Sequence, residues 1–143
     1  MSEKGTFEKI GQSDRRMFGP TKILVCGYAG AEQARMTEAW DQAGLGHVPV
    51  VLIPSGEIGK TLKEIAELPE RSGPEAASDL PRAIIMSGLT ETELRTAMKS
   101  YRALGLPGPL WAALTETSVH WTLGELLREL SAEREAFLKK QQR

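Results

Sequence analysis

The sequence predicts an α/β protein in which two tandem β-α-β-α units form a small, mainly parallel four-stranded sheet covered by helices. Three observations predict it. Short apolar runs rich in β-branched residues alternate with stretches of helical periodicity. Glycines stand where strands exit and helices end. The chain also aligns with itself, without a gap, at an offset of 61 residues.

Residues 1–20 are polar and show no sustained period, so they are expected to form a flexible N-terminal tail. A single α/β domain is expected over 21–140. Its first unit is 22–68, a linker follows at 69–81, and the second unit is 83–130 with an extended C-terminal helix. "KILVCG" (22–27) is a buried strand ended by glycine. In "AEQARMTEAWDQAG", Met36, Ala39, Trp40 and Ala43 fall on one helical face, and Gly44 suits the C-terminal end. "VPVVLIP" (48–54) is a second strand, and "TLKEIAEL" opens a helix that Pro69 stops. The stretch 69–81 has the proline and glycine content of a linker. The order then recurs. "AIIMSG" (83–88) is a strand, and "ETELRTAMKSYRALG" is a helix with Leu94, Ala97, Met98 and Tyr101 on one face. "PLWAAL" (109–114) is the fourth strand, and the last helix runs from Thr122 to about Lys139.

At the offset of 61 the halves are identical at Ile23/Ile84, Gly27/Gly88, Glu32/Glu93, Gly44/Gly105, Leu45/Leu106, Thr61/Thr122, Leu62/Leu123 and Glu64/Glu125. The constant spacing spans two strands, two helices and their loops, which predicts an internal duplication. The repeated Thr-Leu-x-Glu string has a local explanation as a capping box. The threonine hydroxyl accepts from the N–H three residues on, and the glutamate reaches back to the threonine N–H. Thr90 and Glu93 form a third box, whereas Ala29 leaves only Glu32 in the corresponding place. Trp121 can add a hydrophobic staple against Leu126, and Lys60 in the first copy cannot.

The C-terminal half resembles a prokaryotic domain-of-unknown-function family (DUF3783). That family reads as an apolar strand, Gly, a helix, Gly-Leu-Pro, a second strand, then Thr-x-x-x-x-x-Trp-x-Leu-x-x-Leu. Here these positions are Gly88, Gly105-Leu106-Pro107, Thr115, Trp121, Leu123 and Leu126. The resemblance implies a domain and no reaction, and it makes the N-terminal half a diverged copy. Gly46 and Lys60 replace the proline and the tryptophan there.

Composition narrows the function. A net charge of −1 lacks the basic excess of a nucleic-acid or membrane-surface binder, so neither partner is expected. No apolar run approaches the ~20 residues that span a bilayer. The first 20 residues contain no apolar signal-peptide core, and the single cysteine fits a reducing compartment. The expected location is the cytoplasm.

Ligands of open α/β sheets bind beyond the carboxyl ends of the strands. That edge holds the candidate ligand residues Cys26, Gly27, Gly30, Lys60, Ser87, Gly88, Thr115, His120 and Trp121. An all-parallel sheet would gather four helix N-termini there, and halves meeting antiparallel would put two at each edge. The loops carry Glu32, Glu57, Glu91, Glu93 and Glu116 against few cations, and neither G-x-G-x-x-G nor a P-loop occurs. Cys26 reads as a small buried residue more readily than as a thiolate, and His120 and His47 stand beside no nucleophile in sequence. Two histidines and one cysteine, widely spaced, do not make a zinc site. No catalytic residue, metal or cofactor is therefore expected. The expected function is a non-catalytic binding or protein-interaction module, with a homo-oligomer or a protein partner. The alternative is a small-molecule or nucleotide-binding enzyme using the carboxyl edge of the strands, with Cys26, Lys60 or His120 as actors.

Overall fold

Alternating burial along the first strand decides the layering. Ile23 and Val25 enter one apolar cluster while Leu24 and Cys26 enter another on the opposite face, as the two-residue repeat of a strand requires. Such a strand needs cover on both faces, and helices supply it. The computed structural model describes residues 15–68 and 79–141. Residues 1–14 of the expected tail and 69–78 of the expected linker lie outside the described residues.

The elements run β1 (Lys22–Cys26), α1 (Gly30–Trp40), β2 (Val50–Leu52), α2 (Leu62–Ala66), β3 (Ala83–Ser87), α3 (Glu91–Arg102), β4 (Leu110–Ala113) and α4 (Leu123–Gln141). The sheet order is β2-β1-β3-β4. β1 pairs parallel with β2 and β3 parallel with β4, whereas the central β1–β3 pair is antiparallel. The fold is thus a mixed α/β sheet with one antiparallel pairing at its centre. α1 and α3 cover one face through Met36, Trp40, Ala97 and Tyr101. α2 and α4 cover the other through Leu62, Ile65, Leu123, Leu126 and Leu127.

Residues 61 apart in sequence meet at two places. Leu24 stands opposite Ile85 at the middle of the β1–β3 pair, and Thr61 forms an isolated antiparallel bridge with Thr122. Around that bridge the Leu62 N–H donates to Trp121 O at 2.8 Å and the Leu123 N–H donates to Lys60 O at 2.9 Å.

All three threonine capping boxes form. Oγ1 of Thr61, Thr90 and Thr122 accepts from the N–H of Glu64, Glu93 and Glu125 at 3.2, 3.1 and 3.1 Å. At α1 the Glu32 carboxylate alone reaches back, accepting from the Ala29 N–H at 2.9 Å. Trp121 packs on the cluster that holds Leu126, where a staple would put it.

Two expectations differ in detail. α1 passes into a π-turn at Asp41–Leu45, which turns Ala43 into solvent, and ahead of that turn Gln33 shares the buried face with Met36 and Trp40. The wider turn changes the angle per residue, so a 3.6-residue template drifts off the core side. The helix expected from "TLKEIAEL" closes after five residues, its end tightened by bonds from the Glu67 N–H to Glu64 O and the Leu68 N–H to Ile65 O, and Lys22 Nζ satisfies Ala66 O at 2.6 Å and Leu68 O at 3.2 Å.

Candidate functional site

The antiparallel centre of the sheet divides the residues expected at one ligand edge. Cys26 stands opposite Ala83 and Ser87 opposite Lys22, so the exits of β1 and β3 lie at opposite ends of the pair. Cys26, Gly27 and Gly30 therefore occupy one end, and Ser87 and Gly88 the other. Thr115 follows β4, which is parallel to β3, and so shares the end of Ser87. Lys60 and Trp121 come from the two ends, and beside the Thr61–Thr122 bridge the carbonyl of each accepts from the other loop, Lys60 O from the Leu123 N–H and Trp121 O from the Leu62 N–H. The Lys60 ammonium turns to Glu57 at 3.1 Å.

Both strand exits are crossed by the chain's own backbone. Gly27 has φ of +88°, and a Cβ there would lie 2.6 Å from Pro81 O. Gly88 has φ of +66°, and a Cβ would lie 2.3 Å from Gly19 O. Only glycine combines that left-handed backbone with so close a crossing strand. Cys26 is buried, with its thiol 3.4 Å from Pro81 O. Burial pushes that thiol up to about 12, so it stays protonated at neutral pH. Ser87 is fully buried and its hydroxyl has no hydrogen-bond partner. It lies directly under Gly19, where an added Cβ would approach Ser87 Oγ to 2.4 Å.

The segment that covers Ser87 also borders a groove of about 540 Å³ lined by Phe18, Gly19, Pro20, Lys63, Ala66, Glu67, Glu116, Val119 and His120. Three stretches build it: residues 18–20 before β1, α2 with its following residue, and residues 116–120 after β4. Each is fixed by a local device. The Gly88 N–H donates to Phe18 O at 2.9 Å and the Met17 N–H to Leu89 O at 2.9 Å, and Thr21 Oγ1 donates to Gly88 O at 3.1 Å. The Thr115 N–H donates to Ser118 Oγ and the Ser118 N–H to Thr115 Oγ1, both at 3.0 Å. Val119 is thereby held inward, while Glu116 and His120 are exposed. Of the residues expected at the ligand edge, His120 lines this groove and Ser87 and Gly88 adjoin it. Phe18, Pro20, Lys63, Ala66 and Glu67 were not expected there. One signal for the first two exists in the sequence, since Pro20 and Pro81 stand 61 residues apart and both lead into a central strand.

A separate polar cluster surrounds Glu93. Its carboxylate accepts from the Thr90 N–H at 2.9 Å, contacts His47 Nε2 at 2.8 Å and pairs with Arg16 at 3.0 Å. Burial alone would raise the carboxyl. The Thr90 N–H, His47 and Arg16 outweigh it and hold Glu93 at about 2. Arg16 Nη1 also donates to Gly88 O at 2.8 Å, so the cluster ties the segment before β1 to α3. On the α1/α3 face, Tyr28 Oη and Tyr101 Oη lie 2.9 Å apart, Tyr101 donates to Pro107 O, and Trp40 Nε1 donates to Ala97 O at 3.0 Å. These groups are spent on packing the helices together.

Among the described residues, no group of three or more His, Cys, Asp or Glu could hold a metal ion, and no helix is long and apolar enough to cross a membrane. Residues 82–137 match a family model described as Domain of unknown function (DUF3783). The match takes in β3, α3, β4 and most of α4, and thus the C-terminal half that resembles this family. No curated protein and no solved structure matches the chain.

Proposed function

We propose that the protein is a non-catalytic binding or protein-interaction module whose groove beside residues 18–20 receives apolar side chains of a protein partner. The observation that carries this reading is the make-up of the groove. Phe18, Pro20, Ala66 and Val119 give it an apolar floor, and Lys63, Glu67, Glu116 and His120 stand exposed around it. Covering such a floor is favourable, and solvated rim charges of both signs steer a partner without being buried. The exits of the two central strands, at the edges where an α/β enzyme holds its substrate, are crossed at Gly27 and Gly88 by the chain itself. A photoreactive residue in place of Lys63 tests the reading in cells that make the protein. A discrete adduct that disappears with Phe18→Asp is expected, and the absence of any adduct from the rim would sink it.

The groove's size also falls among small-molecule sites, roughly 300–1,000 Å³, and His120 stands on its rim. These two facts favour a second reading, a small-molecule or nucleotide-binding enzyme. A nucleotide or metabolite that raises the melting temperature, with the rise abolished by His120→Ala, would select it.

We also infer that the halves are a tandem duplication. Support comes from the constant offset of 61 at the strand boundaries Lys22–Cys26 and Ala83–Ser87, at the helix starts Leu62 and Leu123, and at the meeting pairs Leu24–Ile85 and Thr61–Thr122. Convergent β-α-β-α units would share glycines at turns, but have no reason to place equivalent residues opposite one another.

A further inference from the structure

The two edges of the sheet are finished differently. β2 is three residues long, lies between Pro49 and Pro54, and is buried throughout, with Val50 at 7%, Val51 at 0% and Leu52 at 3% exposure. β4 has Trp111, Ala112 and Ala113 only half-buried, and nothing between Pro109 and Leu114 is charged or bulged. The Leu110 and Leu114 N–H groups donate inward to Arg82 O and Met86 O, both at 2.9 Å. Strand alternation then turns the N–H and C=O groups of Trp111 and Ala113 away from β3. Among the described residues these groups have no partner. Uncharged edges of this kind are ready templates for another strand, and proteins ordinarily blunt them.

We propose that a second copy of this chain occupies the edge, β4 pairing antiparallel with β4 across a two-fold axis at Ala112 to give one continuous eight-stranded sheet. The register follows from the chemistry of the flanks. Centring the pair on Trp111 would set Ala113 against Pro109, which has no N–H to give. Centring it on Ala113 would set Trp111 against Thr115, whose N–H already donates to Ser118 Oγ. Centring it on Ala112 sets Trp111 against Ala113 of the other copy and satisfies all the outward groups of both residues, with small side chains at the axis. The two-fold also brings the end of β4 that leads to Glu116, in the turn that follows, alongside the Gly108–Pro109 end of the other copy. Arg134 sits there, its Nη2 donating to Pro109 O at 2.5 Å and lying 3.4 Å from Gly108 O. Glu116 and Arg134 are both exposed, so the axis places an exposed carboxylate of each copy at the end of the seam that carries the guanidinium of the other. That charge complementarity singles out a second copy over an arbitrary strand.

The inference rests on the reading of the protein as an interaction module, and it can fail independently because the edge and the groove are tested by different variants. Sedimentation of the purified full chain over a concentration series should show a species of twice the 15.7 kDa chain mass. Hydrogen exchange should find the Trp111 and Ala113 amides protected at high concentration and released on dilution. Ala113→Pro, which removes an outward N–H and leaves the β3 ladder intact, should yield a monomer. Arg134→Glu, which lies outside the groove, should weaken the dimer about tenfold by setting like charges together. A chain that stays monomeric at every concentration would overturn the proposal, as would a dimer whose Trp111 and Ala113 amides exchange freely. A pure monomer that pairs only with a different protein would overturn it too, and would leave the groove reading standing. Should Ala113→Pro fail to fold, the exchange of the unmodified chain decides the matter.

Discussion

Single residues carry the sharpest energetic statements here, and Glu93 is the first. Its carboxyl ordinarily titrates at 4.5 and is held at about 2 in the fold. A depressed folded value means that the contribution is fully present above pH 4.5 and is lost as pH falls towards 2. Glu93→Gln should therefore lower stability at pH 6 and flatten the pH dependence below 4.5, read by urea unfolding at a series of pH values. An equal slope in both proteins would show that Arg16 and His47 do not hold the charge. Gly88 is the second. Gly88→Ala must place a side chain at a left-handed φ and against Gly19 O, which costs at least ~1–3 kcal/mol from the backbone conformation alone. The expected result is a clear fall in melting temperature and loss of order at residues 17–20, whose bonds to Gly88 and Leu89 would be displaced. A neutral substitution would mean that the crossing is loose.

Helix starts are the elements most plainly written in the sequence. Thr61, Thr90 and Thr122 each meet a glutamate three residues on, and all three boxes form. Thr122→Ala should cost about 1 kcal/mol. Thr61→Ala should matter more locally, because α2 has only five residues and few bonds of its own to share the loss. Amide exchange across 62–66 is the measurement, with faster exchange confined to α2 as the expected outcome. Strands were equally legible, since short apolar runs closed by glycine have few other readings. The buried side of α1 was not. Periodicity put Ala43 inward, but the π-turn at 41–45 changes the phase. Gln33 is buried because its Nε2 donates to Tyr28 O at 2.8 Å. A side-chain bond to a backbone carbonyl five residues back leaves no mark in hydropathy.

For the whole molecule, the order and direction of the strands decided what the sequence could not. Neither the two-residue nor the 3.6-residue period says which strands are neighbours. The orientation of the central pair therefore stayed open, and with it the split of Cys26 from Ser87. The groove was hidden for a similar reason. Its walls come from residues near 19, 65 and 118, each ordinary in its own stretch and brought together only by the sheet. Because β1 and β3 are both central and share a five-residue ladder, neither half owns a separate core. Thermal unfolding should then be a single transition. Far-ultraviolet ellipticity and tryptophan emission should coincide, since Trp40 and Trp121 report on opposite faces of the sheet. Two separated transitions would show that the halves are independent folding units.

The placement of Leu24 against Ile85 has a consequence for how such a chain could be taken apart. On the proposed duplication, the surface that one half presents to the other is, in outline, the surface it would present to itself. A fragment beginning near Leu80 should therefore form pairs in a concentration-dependent way, with β3 opposite β3 and Ile85 facing its own copy. The peptide connection between the halves turns that encounter into an intramolecular one, at an effective concentration on the order of millimolar. Covalent continuity thus replaces mass action at the centre of the sheet. On the duplication proposed above, tethering would also free the two copies to differ at their outer edges and loops.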